Sequence, residues 1–167
     1  VLASCGVRSQ IDAFVPTTLH VFGDEQSLLD VDAPGATAAN GYKYSVNGLT
    51  SGSVDCAVNP LWVQQLASGY SLTFDRCNPT NKPVSAYMWA AVGATAADLS
   101  TQITGAAGLT ANSLATVFLG TADIQAALAS YNGSNREDAL TQACQAGAAV
   151  GRAVRSLADQ GVRVLLL

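Results

Sequence analysis

Charge is scarce in this sequence. Only 12% of its 167 residues are Asp, Glu, Lys or Arg, about half the usual share of roughly 25%. Eight basic residues against twelve acidic ones leave a net charge of −4, so the basic footprint of a nucleic-acid-binding protein is missing and no nucleic-acid partner is expected. A single histidine is too few for a typical zinc site, and no pair among the four cysteines has zinc-ligand spacing. No apolar run reaches the roughly 18 residues of a membrane span. Gly23 and Gly120 sit in neither G-x-G-x-x-G nor G-x-x-x-x-G-K-[ST], which removes the dinucleotide and P-loop readings. No metal and no cofactor are expected. Apolar residues are plentiful at 49%, and that excludes intrinsic disorder, which needs low hydrophobicity and high net charge. A soluble, alanine-rich, packed domain remains.

The two ends carry their own information. Val1-Leu2-Ala3-Ser4-Cys5-Gly6 resembles a bacterial lipobox, the tail of a secretory signal whose cysteine receives lipid after cleavage. That resemblance implies a lipid anchor at Cys5, a membrane partner through it, and the periplasmic face of a bacterial envelope. Residues 1–5 are then leader remnant and lipobox, residues 6–16 a linker ending at Pro16, and residues 17–167 the folded domain. At the other end, Gly161-Val162-Arg163-Val164-Leu165-Leu166-Leu167 stops within an apolar run. The domain is therefore expected to be incomplete there, with an exposed apolar face and edge that favour association. Cys56 and Cys77 bracket a helix and the strand-like run after it. In an oxidising periplasm they could close a disulfide worth about 3 kcal/mol; the alternative is two buried thiols. Cys144, on a helix, reads as a small core residue.

Strand and helix signals alternate. Thr17 to Phe22 is β-prone and runs into Gly23-Asp24, a strand followed by a turn. Residues 30–58, rich in Gly, Asn, Ser and Asp, read as a surface excursion. Asn59-Pro60 predicts a helix start, with the helix over Leu61 to Ser68. Tyr70 to Phe74 and Ser85 to Val92 are extended candidates. Thr95 with Asp98 resembles a capping box opening a helix to Thr104. Leu114 to Leu119 has the pattern of a strand covered on both faces, and Asp123 to Tyr131 reads as a helix. Ser134 with Glu137 forms a second box ahead of Leu140, Ala143, Gly147, Val150, Val154 and Leu157, whose steps of three and four predict an amphipathic helix capped by Gly161. Val162 to Leu167 is the last strand. This alternation implies a three-layer α/β/α sandwich with a mainly parallel sheet.

In open parallel sheets, sites form outside the carboxyl ends of the strands. Three such ends carry glycine: Phe22-Gly23-Asp24-Glu25-Gln26-Ser27, Ala91-Val92-Gly93-Ala94 and Leu119-Gly120-Thr121-Ala122-Asp123. Glycine there permits close backbone approach and exposes N–H groups to an anion. In this order the three blocks resemble the GDSL, or SGNH, family of ester hydrolases. Phe22-Gly23-Asp24 matches the start of the family's F-G-D-S block, Trp62 to Ala67 the helix that follows, Val92-Gly93-Ala94 its second block, and Gly120-Thr121-Ala122-Asp123 its G-x-N-D block. Gly161 to Leu165 resembles the strand before the family's final segment. The resemblance implies a serine nucleophile acting on carboxylic esters, with acyl chains or acetylated sugars as substrates, and an oxyanion site built from the Gly93 N–H with Gly120 and the backbone near Glu25.

The departures bear on activity. Glu25 stands where the family has serine, and a carboxylate cannot be activated as an alkoxide by histidine. Ser27 becomes the candidate nucleophile if Glu25-Gln26 is an insertion, since Ser27-Leu28-Leu29-Asp30 then follows the block; otherwise it is a loop hydroxyl. Ala122 replaces the asparagine that would donate to the oxyanion, a loss on the order of 3 kcal/mol. Asp123 is retained and also suits a helix cap. The family's Asp-x-x-His is absent, and His20 lies within the first strand, where a core role is expected. Asp24, Glu25, Asp30 and Asp32 read as a solvated acidic loop rather than a cation site. Tyr42, Tyr44 and Trp62 are candidates for lining a groove, with Trp62 also at core spacing. Two functions follow: a divergent ester hydrolase using Ser27, or a non-catalytic envelope lipoprotein that keeps the cleft to bind an acyl or carbohydrate ligand.

Overall fold

The computed structural model describes residues 13–30, 42–43, 48–50, 53–55 and 57–167. Its first strand, β1 (Thr18–Gly23), is followed by a 3-10 turn over Glu25–Ser27. Two short antiparallel ribbons come next: β2 (Leu29–Asp30) with β3 (Tyr42–Lys43), and β4 (Gly48–Thr50) with β5 (Ser53–Asp55). Then follow α1 (Trp62–Gly69), β6 (Ala86–Met88), α2 (Asp98–Gly105), β7 (Ser113–Phe118), α3 (Thr121–Ser130), α4 (Arg136–Asp159) and β8 (Arg163–Leu166). The main sheet runs β6-β1-β7-β8 with every pair parallel. Among the described helices, none is long and apolar enough to cross a membrane.

Both faces of this sheet are buried, which explains why its central strands read as apolar runs rather than alternating ones. Leu19 and Val21 of β1 point to one face, against Val63 and Ala67 of α1 and against Phe74, Ala86 and Ala90. Phe22 shares the opposite face with Ala115 and Val117 of β7, where Leu99 of α2 and Leu157 of α4 cover them. α3 packs on α4. The chain is thus an α/β fold with helices on both sides of an all-parallel sheet. Because β6 lies on one side of β1 and β7 on the other, the winding reverses at β1, and the crevice outside the carboxyl ends of β1 and β7 is where such a sheet places a ligand.

Several local expectations need correction. Tyr70 to Phe74 is not a strand: Ser71 takes φ +58° and only Phe74 makes a bridge, to Ala86. α1 is not capped by Asn59, which sits at φ +50°. Its N-cap is Leu61, whose N–H donates to the Gln64 side chain at 2.8 Å. The Ser134–Glu137 box does not form. Ser134 turns its hydroxyl to Asn132 at 2.8 Å, Asn135 precedes the helix, and Glu137 faces Arg136. Thr95 does not cap α2, which begins at Asp98 with Ala97 as its N-cap; its backbone N–H and hydroxyl instead both donate to the Asp98 carboxylate, at 2.9 and 2.7 Å. Gly161 does adopt the left-handed conformation, φ +82°, just past α4. Cys144 is exposed and free rather than in the core, because α4 is buried mainly through its last turns. Cys77 is disulfide-bonded; Cys56, its expected partner, lies outside the described residues, as do Cys5, Asp32 and Tyr44.

Candidate functional site

The site begins with a glycine that nothing else can replace. At the end of β1, Gly23 has φ +130°, and a Cβ there would collide with the carbonyl of Phe118 on the neighbouring strand. Only a residue without a side chain allows β1 and β7 to stay this close where both strands end. Gln102 of α2 then clasps the same peptide from the other side. Gly23 N–H donates to its Oε1 at 2.8 Å, and its Nε2 donates to the Gly23 carbonyl at 3.0 Å. That carbonyl also accepts from Ala91 N–H at 3.0 Å, which brings in the loop after β6.

The next three residues reach outward in turn. Asp24 N–H donates to the Phe118 carbonyl at 3.0 Å. The Asp24 side chain is fully buried: one oxygen accepts from Gln26 N–H at 3.1 Å, and the other has no partner. Desolvation pushes this carboxyl above its ordinary range, with the Gln26 N–H opposing and the neighbouring Glu25 charge adding to the rise. Glu25 extends its carboxylate to the second corner, where Oε2 accepts from Gly93 N–H at 2.8 Å. Gln26 reaches the third corner, donating from Nε2 to the Thr121 hydroxyl at 2.9 Å, one residue past Gly120. Asp123 ties the second and third corners, accepting from Ala96 N–H at 2.9 Å. Gly23, Gly93 and Gly120, at φ +130°, +67° and +126°, therefore meet at one rim.

Individual assignments come out differently. Gly93 keeps a backbone donor, yet that donor is engaged by Glu25, the residue that stands where the resemblance would expect serine. Ser27 is not an open loop hydroxyl. It is fully buried in the 3-10 turn, its N–H donates to the Asp24 carbonyl at 3.2 Å, and its hydroxyl has no partner. Asp123 does not cap its own helix, for Gly120 is the N-cap of α3 and the carboxylate is spent on Ala96. Ala122 sits in the first turn of α3 and offers no side-chain donor. Asp24 is buried, so the acidic loop is not uniformly solvated. Among the described residues, no group of three His, Cys, Asp or Glu side chains is arranged to hold a metal ion.

His20 is wholly buried on β1. Its Nδ1 accepts from the Trp89 indole N–H at 3.2 Å, and Nε2 has no partner. The Tyr87 ring lies 4.9 Å away, and Trp89 stacks parallel at 6.4 Å. Burial lowers its pKa to about 4, so the ring is neutral at pH 7 and belongs to an aromatic core rather than to a Ser27 pair.

Two residues that organise the rim escaped the sequence reading. Gln102 and Gln26 are uncharged and belong to no motif. Gln102 does leave one trace: it stands on α2 with Leu99 and Ile103 at spacing three and four, a polar residue in an apolar stripe. Trp89, which fixes His20, leaves none. No family model matches the chain, and no curated protein matches it.

Proposed function

We propose that the chain is a GDSL/SGNH-type α/β domain of a bacterial envelope lipoprotein, lipid-anchored at Cys5 on the periplasmic side, which hydrolyses carboxylic esters of acyl chains or acetylated sugars. The observation that carries this reading is the meeting of the three glycine corners at the carboxyl ends of the parallel strands. There a backbone N–H, that of Gly93, faces the position of an anionic oxygen. Preorganised N–H donors aimed at developing charge are the largest contribution to acyl-transfer catalysis in many enzymes.

In this reading Ser27 supplies the nucleophilic oxygen, and two changes bring it into play. The 3-10 turn must present the Ser27 hydroxyl, and the Glu25 carboxylate must leave the Gly93 N–H so that the ester oxygen can take its place. No base is assigned, since His20 is enclosed and already accepts from Trp89. The second reading, a non-catalytic domain that binds its ligand at the same rim, is favoured by one observation. The Glu25 carboxylate already occupies the oxyanion donor, as a bound carboxylate ligand would.

Hydrolysis of short-chain p-nitrophenyl esters by the full-length protein separates the two. The catalytic reading expects Ser27→Ala to lower kcat/KM at least 100-fold and Glu25→Ala to leave it unchanged or raise it. A folded protein without activity, or activity indifferent to Ser27→Ala, removes catalysis and leaves the binding reading.

A further inference from the structure

The main sheet ends at β6, and a cavity of about 440 Å³ opens there, within the roughly 300–1,000 Å³ of small-molecule sites. Every residue from Ala86 through Val92 lines it. Their side chains alternate between the two faces of the sheet: Met88 and Ala90 pack with Leu19 and Val21, whereas Trp89 packs with Phe22. A cavity that meets both sets runs along the edge of the strand rather than over one face.

The backbone bonds show what that edge offers. Leu19 N–H donates to the Ser85 carbonyl at 2.9 Å, and Trp89 N–H donates to the Val21 carbonyl at 2.8 Å. Ser85, Tyr87 and Trp89 thus turn their peptide groups toward β1, while Ala86 and Met88, alternating with them, turn theirs away. Ala86 is met by the chain itself: its N–H donates to the Thr73 carbonyl at 2.9 Å, and Phe74 forms a single parallel bridge with it. The chain then leaves the edge, and Cys77 takes φ +62°. The place beside Met88, which a continuing strand would fill, is the cavity. Among the described residues, no strand takes up the outward N–H and carbonyl of Met88.

We propose that this slot takes a free, short, extended peptide, added to the sheet as a strand parallel to β6 and bonded to the Met88 N–H and carbonyl. In such strand addition the main chain supplies affinity and alternate side chains supply selection. One set of side chains stands against Leu28, Leu29 and Phe74, and the other against the rings of Tyr87 and Trp89. Charge sets the direction. A peptide running the same way as β6 starts where Phe74 leaves it. Asp75 lines that end, its carboxylate 77% exposed and 3.9 Å from the Arg76 Nε, and complements a free amino terminus. The proposal is independent of Ser27, of Glu25 and of any catalysis at the rim.

Calorimetry on the full-length protein tests this with a pentapeptide that alternates valine and tyrosine. N-methylation of one amide at a time is the decisive series, because a strand turns alternate amides to its neighbour. Methylation on the side facing β6 is expected to weaken binding by about tenfold or more, and methylation on the other side to leave it unchanged. Acetylation of the amino terminus should cost about threefold. Met88→Pro removes an N–H that β1 does not use, so it should keep the native circular dichroism and weaken the peptide by about tenfold or more. If that variant does not fold, the methylation series on the unaltered protein decides. Loss at every amide or at none, equal binding of the acetylated peptide, a folded Met88→Pro with unchanged affinity, or binding of chitobiose or octanoate without the peptide overturns the proposal.

Discussion

At the carboxyl end of β1, four consecutive residues are each fastened to a different part of the molecule: Gly23 to Gln102 of α2, Asp24 to Phe118 of β7, Glu25 to Gly93, and Gln26 to Thr121 of α3. α4 is organised the opposite way. It is 24 residues long, yet only Leu157 is fully buried, with Val150, Ala153 and Val154 partly buried beside it. Leu140 and Cys144, nearer its start, are exposed. The first region is held by polar bonds over very few residues, the second by apolar burial concentrated at one end. Geometry is expensive to disturb in the first, and volume is expensive to disturb in the second only where the helix meets the sheet.

That contrast can be broken at its strongest point by Gly23→Ala. The added carbon meets the Phe118 carbonyl backbone, which cannot move without parting β1 from β7. A loss above about 4 kcal/mol in urea denaturation is expected, the range reserved for backbone collisions and core defects. A loss under about 1 kcal/mol would mean that the two strand ends are not in contact. Leu157→Ala should follow at roughly 2–5 kcal/mol, because the fully buried side chain leaves a cavity between α4 and the sheet. A near-neutral result would show α4 to be a loosely attached element.

Acid sharpens the picture from another side. His20 has a folded pKa of about 4 against an ordinary 6.5, so as pH falls the unfolded chain takes up the proton first. Stability should fall between about pH 6.5 and 4 and then level off, a change on the order of 3 kcal/mol. The buried Asp24 carboxyl acts with opposite sign. Its folded pKa is raised, so the folded chain takes up that proton first and acidification through the raised value favours the fold. Chemical denaturation across pH in His20→Gln should lose the downward slope and keep any upward one; an unaltered slope would remove His20 as its cause. The smallest effect is expected at Leu140→Ala. With the side chain 45% exposed, the change should stay within about 0.5 kcal/mol, and a loss comparable to that of Leu157→Ala would show that both ends of α4 are equally anchored.

How much of this could be read from the sequence follows the range of each interaction. β1, β7 and the apolar stripe at the end of α4 were legible, because burial on both faces writes continuous apolar runs and burial on one face writes a period. The glycine corners were legible too, since a left-handed backbone at a strand end restricts the residue type. The proposed strand over Tyr70–Phe74 failed on one backbone angle at Ser71, which no pattern of side chains encodes. The box at Ser134 does not form because the helix starts one residue later, with Asn135 as its N-cap, and the Ser134 hydroxyl donates back to Asn132 instead of accepting from the helix. Cys144 reads as core only from its small size and its place on a helix, and the first half of α4, where it stands, is largely exposed. At the rim, the contact from Glu25 to Gly93 spans 68 positions and joins a side chain to a backbone group, and such a pairing leaves no mark in composition or spacing. The corners could be found one by one, but not what occupies them.

The clasp of Gln102 on Gly23 has a mechanical consequence. Ala91 is pinned to the Gly23 carbonyl and Gln102 to the same peptide, so residues 92 to 101 form an arch with both feet on one bolt. The span between those feet is fastened as well, at Gly93 to Glu25 and at Ala96 to Asp123, so a change at any one corner is felt by the other two.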